Sequence, residues 1–257
     1  MYMNKKKLFA VSVIVIMIAI MSFSTLAWFN GKDTVDNKFQ IPDNNGDGIA
    51  DFEVDVKEQE TDTDGKPIVD ANGDPVWTDN GNTYENIMPG DRLSKLATVN
   101  NTGAYDEWIR VNIVITDAEA WTKAIQKAVG NPTATDDVIA SYIVNNMLHG
   151  FDATQYENNI VMTRDTAADT MMITAYYNQV LAPGASITVM EEFWIPGALE
   201  QKDMMFGVLD AATGLYTDTE FSVTVTAEAV QVDNLGATSA SEAFALANWE
   251  TGTNYGE

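Results

Sequence analysis

The chain has no cysteine and a single histidine, His149, in 257 residues. The first absence removes disulfides, thiolate metal sites and cysteine nucleophiles. The second leaves one imidazole for any Ser-His-Asp triad, and the Gly-x-Ser-x-Gly elbow is missing too. Catalytic zinc normally takes three protein ligands, mostly His, and no His-Glu-x-x-His pattern occurs. Basic residues are scarce: 14 Lys and Arg stand against 38 Asp and Glu, giving a net charge of −24 and a pI near 4.1. Nucleic acids and anionic membrane surfaces are bound through Lys and Arg, so neither suits this chain. Paired carboxylates could in principle hydrolyse sugars. With 38 acids, however, such pairs arise cheaply, so no catalytic residue is assigned and the protein is read as non-enzymatic.

Hydrophobic residues make up 46% of the chain, enough to bury a core. At the N-terminus Lys5, Lys6 and Lys7 precede 22 uncharged residues, 8–29. The segment has the layout of a secretory signal peptide over residues 1–27, with small residues before a cut between Ala27 and Trp28. An uncleaved membrane anchor is the rival reading, weakened by Ser22, Ser24 and Thr25. Cleavage would leave 11 basic against 38 acidic residues, a net charge of −27. The expected product is secreted and acidic, stabilised by its core rather than by disulfides.

Residues 28–42 read as an N-terminal strand. Phe29, Val35, Phe39 and Ile41 fall on one parity, opposite Lys32, Asp36, Lys38 and Gln40. Residues 43–82 form an insert with twelve acids against Lys57 and Lys66. Within it Asp43, Asn45, Asp47 and Asp51 occupy positions 1, 3, 5 and 9 of a candidate calcium loop, with Gly48 at position 6. Alternating oxygen ligands let such a loop wrap a hard cation. An EF-hand carries Glu at position 12, where Val54 stands. The competing reading is an Asp/Asn/Gly-rich turn. No cofactor is required, and calcium is the candidate ion. Asp62, Asp64, Asp70, Asp74 and Asp79 lack ordered spacing and are expected to be solvated. Phe52, Val54 and Val56 alternate with acids as in a half-buried strand. Pro67-Ile68-Val69 and Pro75-Val76-Trp77 flank a hairpin turn.

Residues 83–257 have ordinary composition and are read with 28–82 as one domain. Strands are expected at 93–99, 108–115, 160–163, 171–177, 187–195 and 221–232. Ile109, Val111, Ile113 and Ile115 should face the core. Thr116-Asp117-Ala118-Glu119 fits a capping box for a helix carrying Trp121, Ala124, Ile125 and Ala128, and a second helix is expected over 136–148. Ser239 to Glu242 caps a short helix with Phe244 and Ala247. His149 is placed at a helix C-terminus, where its charge suits the dipole. Turns at Pro89-Gly90-Asp91, Asn101-Thr102-Gly103 and Pro183-Gly184 are architectural. About nine or ten strands argue for a single β-sandwich.

Three segments also resemble a known family. They are Thr25-Leu26-Ala27-Trp28-Phe29-Asn30; Ile87-Met88-Pro89-Gly90-Asp91-Arg92-Leu93 leading to Val99-Asn100-Asn101-Thr102-Gly103 and Trp108-Ile109-Arg110-Val111; and residues 223–231. Together they resemble the TasA/camelysin family of secreted bacterial proteins, whose export depends on an ER-type signal peptidase. The resemblance implies a jelly-roll sandwich with a few short helices, acting as a self-assembling subunit of extracellular biofilm-matrix fibres. It implies contacts with other matrix proteins or polysaccharide. It also raises a camelysin-like zinc protease, which the single histidine argues against. The insert at 43–82 departs from simpler members. A carbohydrate-binding adhesin is the alternative, with Trp77, Trp108, Trp121 and Trp194 as its aromatic platform. Core packing is the competing role for those rings.

Overall fold

The computed structural model describes residues 30–34, 53–62, 65–78, 81–82, 84, 87, 89–197, 221–233 and 235–247, the first of these as backbone. Residues 107–116 form β5 (Glu107–Thr116), the middle strand of a five-stranded sheet. Ile109, Val111, Ile113 and Ile115 are at most 1% exposed. These β-branched side chains pack against neighbours on a pleated inner face. The remaining strands of this sheet are β1 (Asn30–Thr34), β7 (Val161–Asp165), β8 (Thr170–Tyr176) and β10 (Val223–Gln231). Their order is β1-β10-β5-β8-β7, antiparallel throughout.

The second sheet contains β2 (Val54–Gln59), β3 (Trp77–Thr78), β4 (Arg92–Asn101), β6 (Leu148–His149) and β9 (Ser186–Trp194), in the order β3-β2-β4-β9-β6. Its inner residues Val54, Val56, Ala97, Val99, Val189 and Phe193 meet Val111, Ile173 and Ala227 of the first sheet in one core. Each fully buried aliphatic side chain stabilises that core by about 1.5–3 kcal/mol. The chain passes repeatedly between sheets, and its first described strand lies beside its last. The architecture is the expected jelly-roll-like antiparallel β-sandwich with a few short helices.

Two helices bridge β5 and β6. In α1 (Ala118–Ala128), Trp121 meets Phe193 and Phe221 edge-on, at 6.2 and 5.1 Å between ring centroids. In α2 (Asp136–Asn146), Ile139 and Ile143 are buried, while Val138 is 39% exposed. The expected capping box at Thr116 does not form. Asp117 takes the N-cap position in the left-handed region and makes no side-chain cap bond. Asp169 caps from across the fold, accepting the Ala118 N–H on its carbonyl and the Glu119 N–H on its carboxylate. The amides of a helix's first turn need any acceptor within reach, and the β7–β8 turn brings one.

Asn101-Thr102-Gly103 is not a hairpin turn. It links β4 in one sheet to β5 in the other, and Gly103 lies outside the left-handed region. The Asn101 side chain shapes the corner by accepting the Gly103 N–H and donating to the Tyr105 and Leu181 carbonyls. Gly90 and Gly184 do take positive φ, as their turns require. The hairpin around residues 70–74 is present. There Asp70 accepts the Asn72 and Asp74 N–H groups, and these bonds hold its carboxyl below its ordinary pKa.

The last helix, α3 (Ala240–Leu246), lies on the outer face of the first sheet. Phe244, Ala240 and Ala243 cover Trp108, Tyr176 and Val230, making a second apolar cluster. Ser239 accepts the Glu242 N–H, and Glu242 accepts from Thr238, so this cap forms as the sequence indicates.

Candidate functional site

Several predicted site residues lie outside the described residues. These are Asp43, Asn45, Asp47 and Asp51 of the calcium loop; Phe29, Val35, Phe39 and Ile41 of the assembly strand; and Ala27 and Trp28 at the cleavage point. Between them, β1 is described as backbone. It pairs antiparallel with β10, Asn30 opposite Val230 through Thr34 opposite Thr226. Among the described residues it forms one edge of its sheet, with β10 as its one neighbour. A strand paired on one side leaves a row of backbone groups free for another chain. The opposite edge, β7, alternates exposed and half-buried residues and ends in Arg164 and Asp165. Arg164 donates to Asp136 of α2 at 2.7 Å, tying that edge to the helix. Charged residues discourage pairing at an edge, and both edges carry them: Lys32 and Asp33 in β1, Arg164 and Asp165 in β7.

The acids of β2 correct the sequence reading. Asp55 and Glu58, with Glu53 just ahead of the strand, are 8%, 1% and 6% exposed, so the strand is buried on both faces rather than half-buried. Lys95 explains Glu58. It shares the inward parity of Leu93, Ala97 and Val99, and its ammonium lies 2.6 Å from Glu58 Oε1. On the outer face of the first sheet, Arg110 donates to Glu228 at 2.7 Å beneath the Phe244 ring. Spacing sets Lys95 on the parity of Leu93, Ala97 and Val99, whereas Arg110 lies on the outward parity and only the covering helix encloses it.

Glu107 is the residue that sequence reasoning missed. It has the parity of Ile109 and is 0% exposed. Neither carboxylate oxygen has a hydrogen-bond partner. Burial, with the neighbouring Glu53 charge adding to it, raises its pKa to about 8. The one available signal was parity, since Glu107 extends the inward row by one step.

His149 is not at a helix C-terminus. It lies in β6, paired with Glu192 of β9, and its imidazole stacks on Trp194 at 4.5 Å with planes 8° apart. The Arg92 guanidinium also lies against the Trp194 ring, 4.0 Å from its centroid. Nδ1 of His149 faces Glu192 and Glu191 at 3.6 and 3.9 Å. The tryptophans do not form a platform. Trp108 and Trp121 are buried, Trp194 is covered by its two neighbours, and Trp77 stands apart at 40% exposed. Among the described residues, no group of three or more His, Cys, Asp or Glu is arranged to hold a metal ion. No helix among them is long and apolar enough to cross a membrane. No protein-family model, curated protein or solved structure matches the chain.

Proposed function

We propose that the chain is a secreted structural subunit that polymerises into extracellular matrix fibres by donating its N-terminal strand. The observation that carries this reading is the position of β1, five residues long and, among the described residues, paired to β10 alone. Moving β1 from its own β10 to that of a neighbour keeps every backbone pair and costs little beyond ordering the connector. Alternate side chains along an added strand set its register. A head-to-tail contact of this type does not close, so it propagates as a filament. The export signal supports the reading twice. It directs the chain outside the cell, and until it is removed it encumbers the strand to be donated. A dedicated signal peptidase thereby licenses assembly.

Electron microscopy of the protein beginning at Trp28 tests this. The mature chain forms filaments, and the chain lacking residues 28–37 stays monomeric and folded. A synthetic peptide of residues 28–41 stabilises that truncated monomer. Normal filaments from the truncated protein would remove β1 as the connector.

A further inference from the structure

We propose that Glu107 is a pH-operated latch: as a neutral acid it keeps closed the corner where β2 enters the fold, and its ionisation drives that corner open. The corner is assembled from four parts of the chain. The Glu53 carbonyl accepts the Thr102 and Gly103 N–H groups at 3.0 and 3.1 Å. Glu107 exchanges both backbone hydrogen bonds with Leu181, at 3.0 and 2.8 Å. Asn101 ties Leu181 to Tyr105.

The Glu107 side chain is shut inside this corner with no hydrogen-bond partner on either oxygen. The surrounding elements offer it no opposite charge. β4 ends in the uncharged Asn101, and the corner at 181–185 brings Leu181. β10 sets Gln231 opposite. The nearby acids Asp106 and Asp233 are exposed. From the β2 side comes Glu53, which is the charged group acting on Glu107 among the described residues, and it is of like sign. The Glu53 backbone N–H acts the other way and lowers the Glu107 pKa, but by less than burial raises it. A buried carboxylate with no cation beside it and a like charge nearby is strongly disfavoured against its neutral acid.

The sign follows from linkage. The folded-state pKa is raised from 4.5 to about 8. The stabilising contribution is therefore complete below about pH 4.5 and is lost as pH rises through about 8. Between those values the unfolded or opened corner ionises while the closed corner holds its proton. The folded-to-unfolded ratio then falls by up to about tenfold per pH unit from this one group. Alkaline conditions loosen the corner at Glu53, Thr102 and Gly103.

The test compares thermal unfolding of the mature protein and Glu107→Gln from pH 4.5 to 9, with and without millimolar calcium. The wild type loses stability relative to the variant as pH rises towards 8, and the difference levels off above that. Calcium leaves the difference unchanged. A difference independent of pH overturns the latch. So does calcium selectively restoring the wild type at pH 8, since a cation would then be the natural occupant. Should Glu107→Gln not fold, the carboxyl carbon of Glu107 is titrated by NMR in ¹³C-glutamate-labelled wild type. A midpoint near 8 supports the latch, and one in the ordinary carboxylate range overturns it.

Discussion

Lys95 and Glu58 are 37 positions apart in sequence, yet their side chains meet at 2.6 Å with little access to water. Removing one partner strands the other charge in the core, so Lys95→Ala is expected to cost about 3–5 kcal/mol. The paired change Lys95→Met with Glu58→Leu should recover most of that loss. Urea unfolding of the three proteins checks the pattern, and equal losses in all three would mean that packing rather than charge is at stake. This pair was not legible in the sequence, because parity sets Glu58 with Val54 and Val56 and Lys95 with Leu93 and Ala97 but does not say that the two strands are neighbours. Ile109 to Ile115 were legible, since period-2 alternation states directly which face is enclosed. At the same scale, calcium at Asp43, Asn45, Asp47 and Asp51 should raise the melting temperature by mass action. Asp43→Ala with Asp47→Ala removes the increment, and a melting temperature indifferent to millimolar calcium excludes the site.

The helices show how element-level patterns can identify a segment without locating it. Apolar spacing located α1 and the Ser239 cap located α3. Nothing local said that α3 lies on the outer face of the first sheet, where it encloses Trp108 and the Arg110–Glu228 pair. That covering buries Trp108 and Arg110, which lie on the outward parity of β5. Phe244→Ala should therefore cost about 3–5 kcal/mol, as a core aromatic does, despite its place in a seven-residue helix near the C-terminus. A loss under about 1 kcal/mol in chemical denaturation would place α3 outside the cooperative unit. The α1 cap gives a second test. Asp169→Ala removes the acceptor for the Glu119 N–H and should cost about 1 kcal/mol. Asp169 also has positive φ, a conformation alanine tolerates poorly, which adds to the loss. Glu119→Ala should cost far less, because the residue is exposed and does not reach back to cap.

For the whole molecule, the charge of the mature chain and its β1–β10 edge act in opposite directions. Subunits this acidic repel one another, and salt screens the repulsion over about 8 Å at physiological ionic strength. Filament growth should therefore accelerate as ionic strength rises, whereas growth driven by attraction between charged patches would slow. The sandwich class was legible from strand count and turn spacing. The edge position of β1 was not, because parity in residues 28–42 marks a strand without naming its neighbour. The absence of native cysteine makes one measurement decisive for strand donation. Thr34 and Thr226 are paired in register, so Thr34→Cys with Thr226→Cys places one thiol on each side of the β1–β10 contact. Filaments of this protein are oxidised and run on a non-reducing gel. Donation predicts a ladder of covalent multimers, with monomer cross-linked internally before assembly. Filaments that yield only internally cross-linked monomer would contradict the account.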